Sequence, residues 1–439
     1  MDRCSRGDVL TTRPQRGPDE LDELVRSLAP HVLAGLLRRG EEFAAAEDAV
    51  QEAVVEALRV WPAHPPRDPR AWLSTVAVHR LIDARRSESA RRAREEATAV
   101  EQPQGPTEHG DDTLLLLFLC CHPDLSPASQ VALTLRAVGS LTTREIADAF
   151  FVPEATMAQR IGRAKRTLRG RNFRELGDLA VVLRVLSLVY HAGHGRRHDL
   201  AREAIRLTRQ LTLATPEPEA RGLLALMLLQ HARLPARTDD AGRLVTLDEQ
   251  DRSLWDTAEI AEGVAILQGA LAEERPGRYQ IQAAIAALHA DAMTSAETDW
   301  PQILAWYDDL VALSDDPERD DPAAVLNRAV AVGHVDGARA GLAETERVRA
   351  ALGDRDQWHA VRAYLHELGG ELEAAADEYA AAAERATELT ERDHLVRRAA
   401  RARARFEQPG SAEATLTTRR QTPELDQTPL GRTDEPSSR

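Results

Sequence analysis

The chain has 439 residues, of which 43% are hydrophobic but only 4% aromatic, and its formal net charge is −15. That length implies two or three folding units, and cores built mainly from Ala, Leu and Val point to helices. The acidic balance argues against a general nucleic-acid coat protein, yet it is uneven: residues 1–175 carry 25 basic against 26 acidic residues, and the remainder 31 against 45.

Residues 1–18 are polar and are expected to be disordered. Residues 19–94 read as a first small helical domain. Its helix from Ala45 to Val60 turns Ala49, Ala53, Val54 and Ala57 inward and Glu47, Asp48, Gln51, Glu52 and Glu56 outward. A proline-rich connector, WPAHPPRDPR at 61–70, leads to a second helix from about Ala71 to Ala93, with Trp72, Val76 and Leu81 as core candidates. Residues 95–112, EEATAVEQPQGPTEHGDD, have the composition of a flexible acidic linker.

Residues 113–174 form a second small helical domain. Its apolar block LLLLFLCC at 114–121 is too short to cross a membrane and reads as a buried helix. Thr142 and Glu145 make a capping box, after which Ile146, Ala147 and Phe150 share one face. Phe151, Val152 and Pro153 make a turn into a second helix, where Met157, Ile161, Ala164 and Leu168 form a buried stripe. The other faces carry Thr156, Arg160, Arg163, Lys165, Arg166 and Arg169, with no acid between Ala155 and Arg174. This is a helix-turn-helix whose second helix suits a DNA major groove. Lys165 is the only lysine of the chain.

Residues 175–407 remain helical in pattern, and GLLALMLL at 222–229 is typical of close helix packing. Gly333 and Ala338 precede Gly369 and Ala374 by thirty-six residues, a spacing that resembles tetratricopeptide (TPR) helix pairs with a concave partner surface. Residues 408–439 are expected to be a disordered tail. The fold class is therefore all-α: two small helical domains followed by a larger TPR-like helical domain.

Other signals are weaker. Cys4, Cys120 and Cys121 offer no disulfide framework, and with no signal-peptide core the chain is expected in a reducing cytoplasm. His191, His194 and His198 have helical spacing, but Gly193 and Gly195 interrupt it and no Cys completes a set, so no metal is expected. The Cys120-Cys121-His122 run reads as buried thiols rather than a redox or zinc element. The acids Asp308, Asp309, Asp315, Asp316, Asp320 and Asp321 read as a solvated face. No nucleophile elbow, Ser-His-Asp order or phosphate loop occurs, so neither an enzyme nor a cofactor is expected.

Several motifs converge on a family. DAVQEA at 48–53, Trp61-Pro62, RAWL at 70–73 and HRLIDARR at 79–86 resemble region 2 of a sigma-70 factor. CCHP at 120–123, ALTLR at 132–136 and the helix-turn-helix resemble region 4. With only these two regions, residues from about 20 to 172 resemble the extracytoplasmic-function (ECF) sigma factors. GLLALML at 222–228, DEQDR at 248–252, YQIQAAI at 279–285 and LNRAVA at 326–331 resemble the TPR-like extension of one subgroup. Where that subgroup has Asn-Glu-Gly-Tyr-like and Asp-Gly-Pro elements, this chain has YHAGHG at 190–195 and Asp336-Gly337-Ala338.

The resemblance implies a bacterial sigma factor that brings core RNA polymerase to promoters. Asp48, Gln51 and Glu52 would bind the β′ clamp helices. Arg80, Asp83, Arg85 and Arg86 would read the melted −10 element, with Trp72 as a support or, more simply, a core residue. Thr156, Arg160, Arg163 and Arg166 would read the −35 element, and region 4 would also meet the β flap. An intramolecular contact between the C-terminal domain and the sigma regions would either occlude them or hold them ready. The alternative is a one-component helix-turn-helix regulator with a TPR-like sensor, and a further one is a TPR scaffold.

Overall fold

The computed structural model describes residues 18–92, 112–150, 152–169, 178–192, 200–313, 321–353 and 355–407. Among these residues the fold is helical, and the only β pairing is an isolated bridge between Thr238 and Leu244. The expected linker at 95–112 and both expected disordered ends fall essentially outside the described residues.

Two compact units divide the chain: residues 1–234 with 255–290, and residues 235–254 with 291–439. The first begins with α1 (Pro18–Arg38), α2 (Phe43–Val60) and α3 (Pro69–Arg92). In α2, Phe43, Ala46, Val50, Ala53 and Ala57 recur at spacings of three and four and are all buried, which fixes its inner face. Gly40 (φ 84°) makes the turn between α1 and α2. The proline-rich connector ends where the Asp68 carboxylate accepts from the Ala71 N–H at 3.0 Å, opening α3. Leu73, Ala77 and Leu81 bury the inner face of α3, and half-buried Trp72 meets buried Trp61 edge-on, ring centres 5.4 Å apart. Trp72 thus fits a packing role.

Next come α4 (Asp112–Cys120), α5 (Pro127–Ala137), α6 (Thr143–Ala149) and α7 (Glu154–Thr167). Ser126 caps α5 with Pro127 in its first turn. Cys120 and Cys121 are fully buried, and burial pushes both thiols up, Cys121 to about 12, so they are inert. The same unit continues through α8 (Leu179–Ala192), α9 (Leu200–Ala214), α10 (Pro218–His231), α11 (Thr257–Leu271) and α12 (Arg278–Asp291). Helix α8 packs on α5, and α1 packs on α4, so one continuous apolar core runs from Val25 to Leu228. Gly222 lets α10 meet α12 closely: a Cβ there would lie 2.7 Å from the Gln280 backbone nitrogen.

The second unit holds α13 (Trp300–Ala312), α14 (Pro322–Val335), α15 (Ala338–Thr345), α16 (Arg349–Leu352), α17 (Asp356–Leu368), α18 (Leu372–Arg385) and α19 (Leu389–Glu407). Successive helices pack as neighbours. Gly337 (φ 95°) and Gly370 (φ 78°) turn the chain between α14 and α15 and between α17 and α18. These two turns are thirty-three residues apart, so the pairing of Gly333 with Gly369 is slipped by three. Gly333 instead sits against Leu365 as a close-packing position. Asp308 of the acid-rich stretch is engaged by Arg328 at 2.7 Å and Asp321 caps α14, whereas Asp315, Asp316 and Asp320 fall outside the described residues.

Candidate polymerase and nucleic-acid interface

The helix-turn-helix is built from local chemistry. Thr142 Oγ1 accepts from the Glu145 N–H at 3.1 Å, and the Glu145 carboxylate accepts from the Thr142 N–H at 2.7 Å, a complete capping box. Glu145 also receives Arg26 of α1 at 3.0 Å. Burial pushes its carboxyl up, but the Thr142 N–H and the Arg26 guanidinium outweigh burial and hold it below the usual carboxylate range. Pro153 precedes α7, whose Met157, Ile161 and Ala164, with Leu168, are buried as one stripe.

Opposite that stripe, Thr156, Arg163 and Arg166 are exposed and Arg160 is half-buried. Among the described residues none of these three arginines has an acidic partner, which leaves their guanidinium forks available to phosphate oxygens. On α3, Arg80, Asp83, Arg85 and Arg86 are all exposed. Arg85 is held by Glu41, and Arg80 lies 3.5 Å from Glu52. On α2, Asp48 and Glu52 are exposed and Gln51 half-buried, so the three share an outer, acid-bearing face. Exposed Val55 and partly exposed Leu58 continue that face.

One residue departs from its expected place. Glu47, read as outward-facing, is fully buried. Arg136 of α5 donates to it at 2.7 Å, and the Lys165 ammonium of α7 reaches both Glu47 and, at 2.6 Å, Asp48. Two cations and their hydrogen bonds offset the desolvation that a lone carboxylate would suffer. Burial disfavours the Lys165 charge, but Glu47 and Asp48 outweigh burial and hold the ammonium above the usual lysine range. Arg136 also donates to the Leu141 carbonyl at 3.1 Å, and Ser140, at φ 54°, donates to the Arg26 carbonyl at 3.3 Å. At the far end of α7, Arg169 lies 3.7 Å from Glu42. Sequence patterning missed Glu47, Arg136 and Lys165 because their partners lie 89 and 118 positions apart.

His191 is exposed at the end of α8, its Nδ1 lying 2.7 Å from the Ser187 carbonyl of its own helix. His194 and His198 lie outside the described residues. Among the described residues no His, Cys, Asp and Glu group could hold a metal ion, and no helix is long and apolar enough to cross a membrane.

The geometry is that of a clamped pair of helical domains, one bearing a basic helix-turn-helix and the other an acidic helix face, the class of DNA-binding helical protein with which comparison with known proteins agrees. Residues 24–91 match Sigma-70 region 2, and residues 115–168 match Sigma-70, region 4. Residues 178–271 match a family of unknown function, DUF6596. An "Uncharacterized protein R00370" of Rhizobium meliloti (strain 1021) is 40% identical over 383 residues, 81% of this chain and 89% of that protein. No solved structure matches the chain. The chain belongs to the sigma-70 family, in one lineage with that rhizobial protein. Proteins of this family are transcription factors rather than enzymes, and their partners are RNA polymerase and promoter DNA.

Proposed function

We propose that this sigma factor is of the ECF type, with α8 onward forming a fused, TPR-like regulatory extension. Regions 2 and 4 are both matched, and residues 178–271, which follow them, match a different family. The α2 face of Asp48, Gln51 and Glu52 takes the β′ clamp helices, an acid-bearing helix face being suited to a partner that brings cations to it. The α3 face of Arg80, Asp83, Arg85 and Arg86 holds the melted −10 strand, where arginines secure phosphates as bases unstack. Thr156, Arg160, Arg163 and Arg166 enter the −35 major groove, and region 4 meets the β flap. Such a factor works in the bacterial cytoplasm.

The observation that carries this reading is the arginine face of α7, where Arg160, Arg163 and Arg166 have no acidic partner among the described residues, in a chain that also matches region 2. In vitro transcription with core RNA polymerase on a genomic-fragment library tests it. Discrete starts that require the protein are expected. Specific DNA binding without any such start would favour a one-component regulator instead.

A further inference from the structure

Regions 2 and 4 meet through a small set of polar contacts laid over the apolar packing of α1 on α4. The centre of that set is Glu47, whose carboxylate is fully buried between a guanidinium from α5 and the ammonium from α7. The geometry has a direct consequence for promoter recognition. Arg80 is 3.5 Å from Glu52. Glu52 lies about one helical turn, roughly 6 Å, from Asp48. Asp48 is 2.6 Å from Lys165, which neighbours Arg166 in sequence. Adding side-chain lengths, the −10-reading and −35-reading sets therefore lie within roughly 30 Å of each other. On B-form DNA, positions −10 and −35 are separated by roughly 85 Å at 3.4 Å per base pair. The arrangement seen here cannot touch both elements of a linear promoter.

Resting on the sigma-factor reading, we infer that Glu47, clamped by Arg136 and Lys165, is a latch that holds regions 2 and 4 closed until polymerase and promoter DNA separate them. Three features make it a latch. The contact joins helices from two regions that must part, so breaking it costs no helix. It is a buried ion cluster, and such clusters lose stability steeply when one charge is removed, because the remaining charges are stranded. Finally, Lys165 also grips Asp48, one of the three residues assigned to the β′ clamp. A polymerase helix that captures Asp48 withdraws one of the two carboxylates that hold Lys165, so polymerase binding and opening favour each other. Helices α8 and α9 back the closed form from the other side: α8 packs on α5, and the Glu203 carboxylate of α9 approaches the turn at Gly139. The fused extension is thereby placed to set how readily the latch opens.

Distance measurement between spin labels on the full chain tests this. Labels go at Thr75→Cys of α3 and Arg144→Cys of α6, both exposed, in a Cys4→Ser background, since Cys120 and Cys121 are buried and unreactive. Free protein is expected to give one short distance, which more than doubles on adding core polymerase and promoter DNA. Glu47→Gln and, separately, Arg136→Met are each expected to raise the long-distance population about fivefold or more in free protein. An unchanged distance in the polymerase–promoter complex would overturn the latch. So would wild-type distributions in both variants when each retains wild-type helicity. Failure of the full chain to bind core polymerase would instead defeat the sigma reading, while the free-chain comparison of variants would still decide the latch.

Discussion

Two ion clusters in this protein, each built around one buried charged side chain, use the same chemistry to different ends. In the first unit Glu47 is held by Arg136 and Lys165, 89 and 118 positions away. In the second, Glu367 of α17 receives Tyr379 of α18 at 3.0 Å, and Arg398 and Arg405 of α19 at 2.8 and 2.9 Å, all within 38 positions. Arg398 also lies over the Tyr379 ring, 5.3 Å from its centre. Burial pushes the Tyr379 hydroxyl well above its usual range. For Arg398, burial acts to lower its affinity for its proton, but Tyr379 and Glu367 outweigh it. The second cluster ties consecutive helices that have no reason to part, so it acts as a staple. The first ties two regions with separate DNA targets, so the same grip becomes a reversible restraint. What the joined helices must do, stay together or part, decides what such an ion cluster does.

The sharpest way to break this contrast is to cut the staple. Arg398→Met takes the buried guanidinium from Tyr379 and leaves Glu367 with exposed Arg405 as its cation, and is expected to destabilise the second unit by about 2–3 kcal/mol. Urea denaturation would show it, with the distance between Thr75 and Arg144 unchanged. Should that distance lengthen as it does for Glu47→Gln, the two clusters would not be distinct in kind.

A somewhat smaller effect is expected at Gly222. Gly222→Ala drives a methyl against the Gln280 backbone and should destabilise the first unit by about 2 kcal/mol through forced separation of α10 and α12. Thermal unfolding checks it. A neutral result would mean that this helix contact is slack.

Smaller again is the capping box. Thr142→Ala should lower the stability of α6 by about 1 kcal/mol. Its partner Glu145 has a depressed pKa, so its contribution is present above the unfolded value near 4.5. That contribution disappears as pH falls through the lower folded value. Stability measured from pH 6 downward should therefore fall more steeply in wild type than in Glu145→Gln. Parallel pH curves would remove Glu145 from the account.

The mildest change is Arg163→Ala on the exposed face of α7. It should weaken promoter binding about evenly across sequences and reduce the salt-dependence slope by about 1. Its stability should stay within about 0.5 kcal/mol of wild type. A change in sequence preference alone would assign Arg163 to base reading instead.

Much of this was legible in the sequence. The Thr142–Glu145 capping box and the Met157, Ile161, Ala164 and Leu168 stripe depend on neighbours three or four residues away, which patterning captures directly. The inner face of α2 was legible too, at Ala49, Ala53 and Ala57. Glu47 was not, because its side chain is charged and nothing nearby in sequence foretells two cations from α5 and α7. It sits three residues before buried Val50 and four after buried Phe43, at the edge of the apolar stripe. That position was the one signal available. The repeat register slipped for a similar reason. Gly333 is small because Leu365 presses on it, whereas Gly337 and Gly370 are the turn residues, and composition cannot tell these roles apart.

The most direct test of the central claim is the affinity of full-length protein for core RNA polymerase, compared between wild type and Glu47→Gln. A latch that polymerase must open predicts that the variant binds about fivefold or more tightly. Equal or weaker binding by a folded Glu47→Gln protein would contradict the claim that regions 2 and 4 are held shut against polymerase.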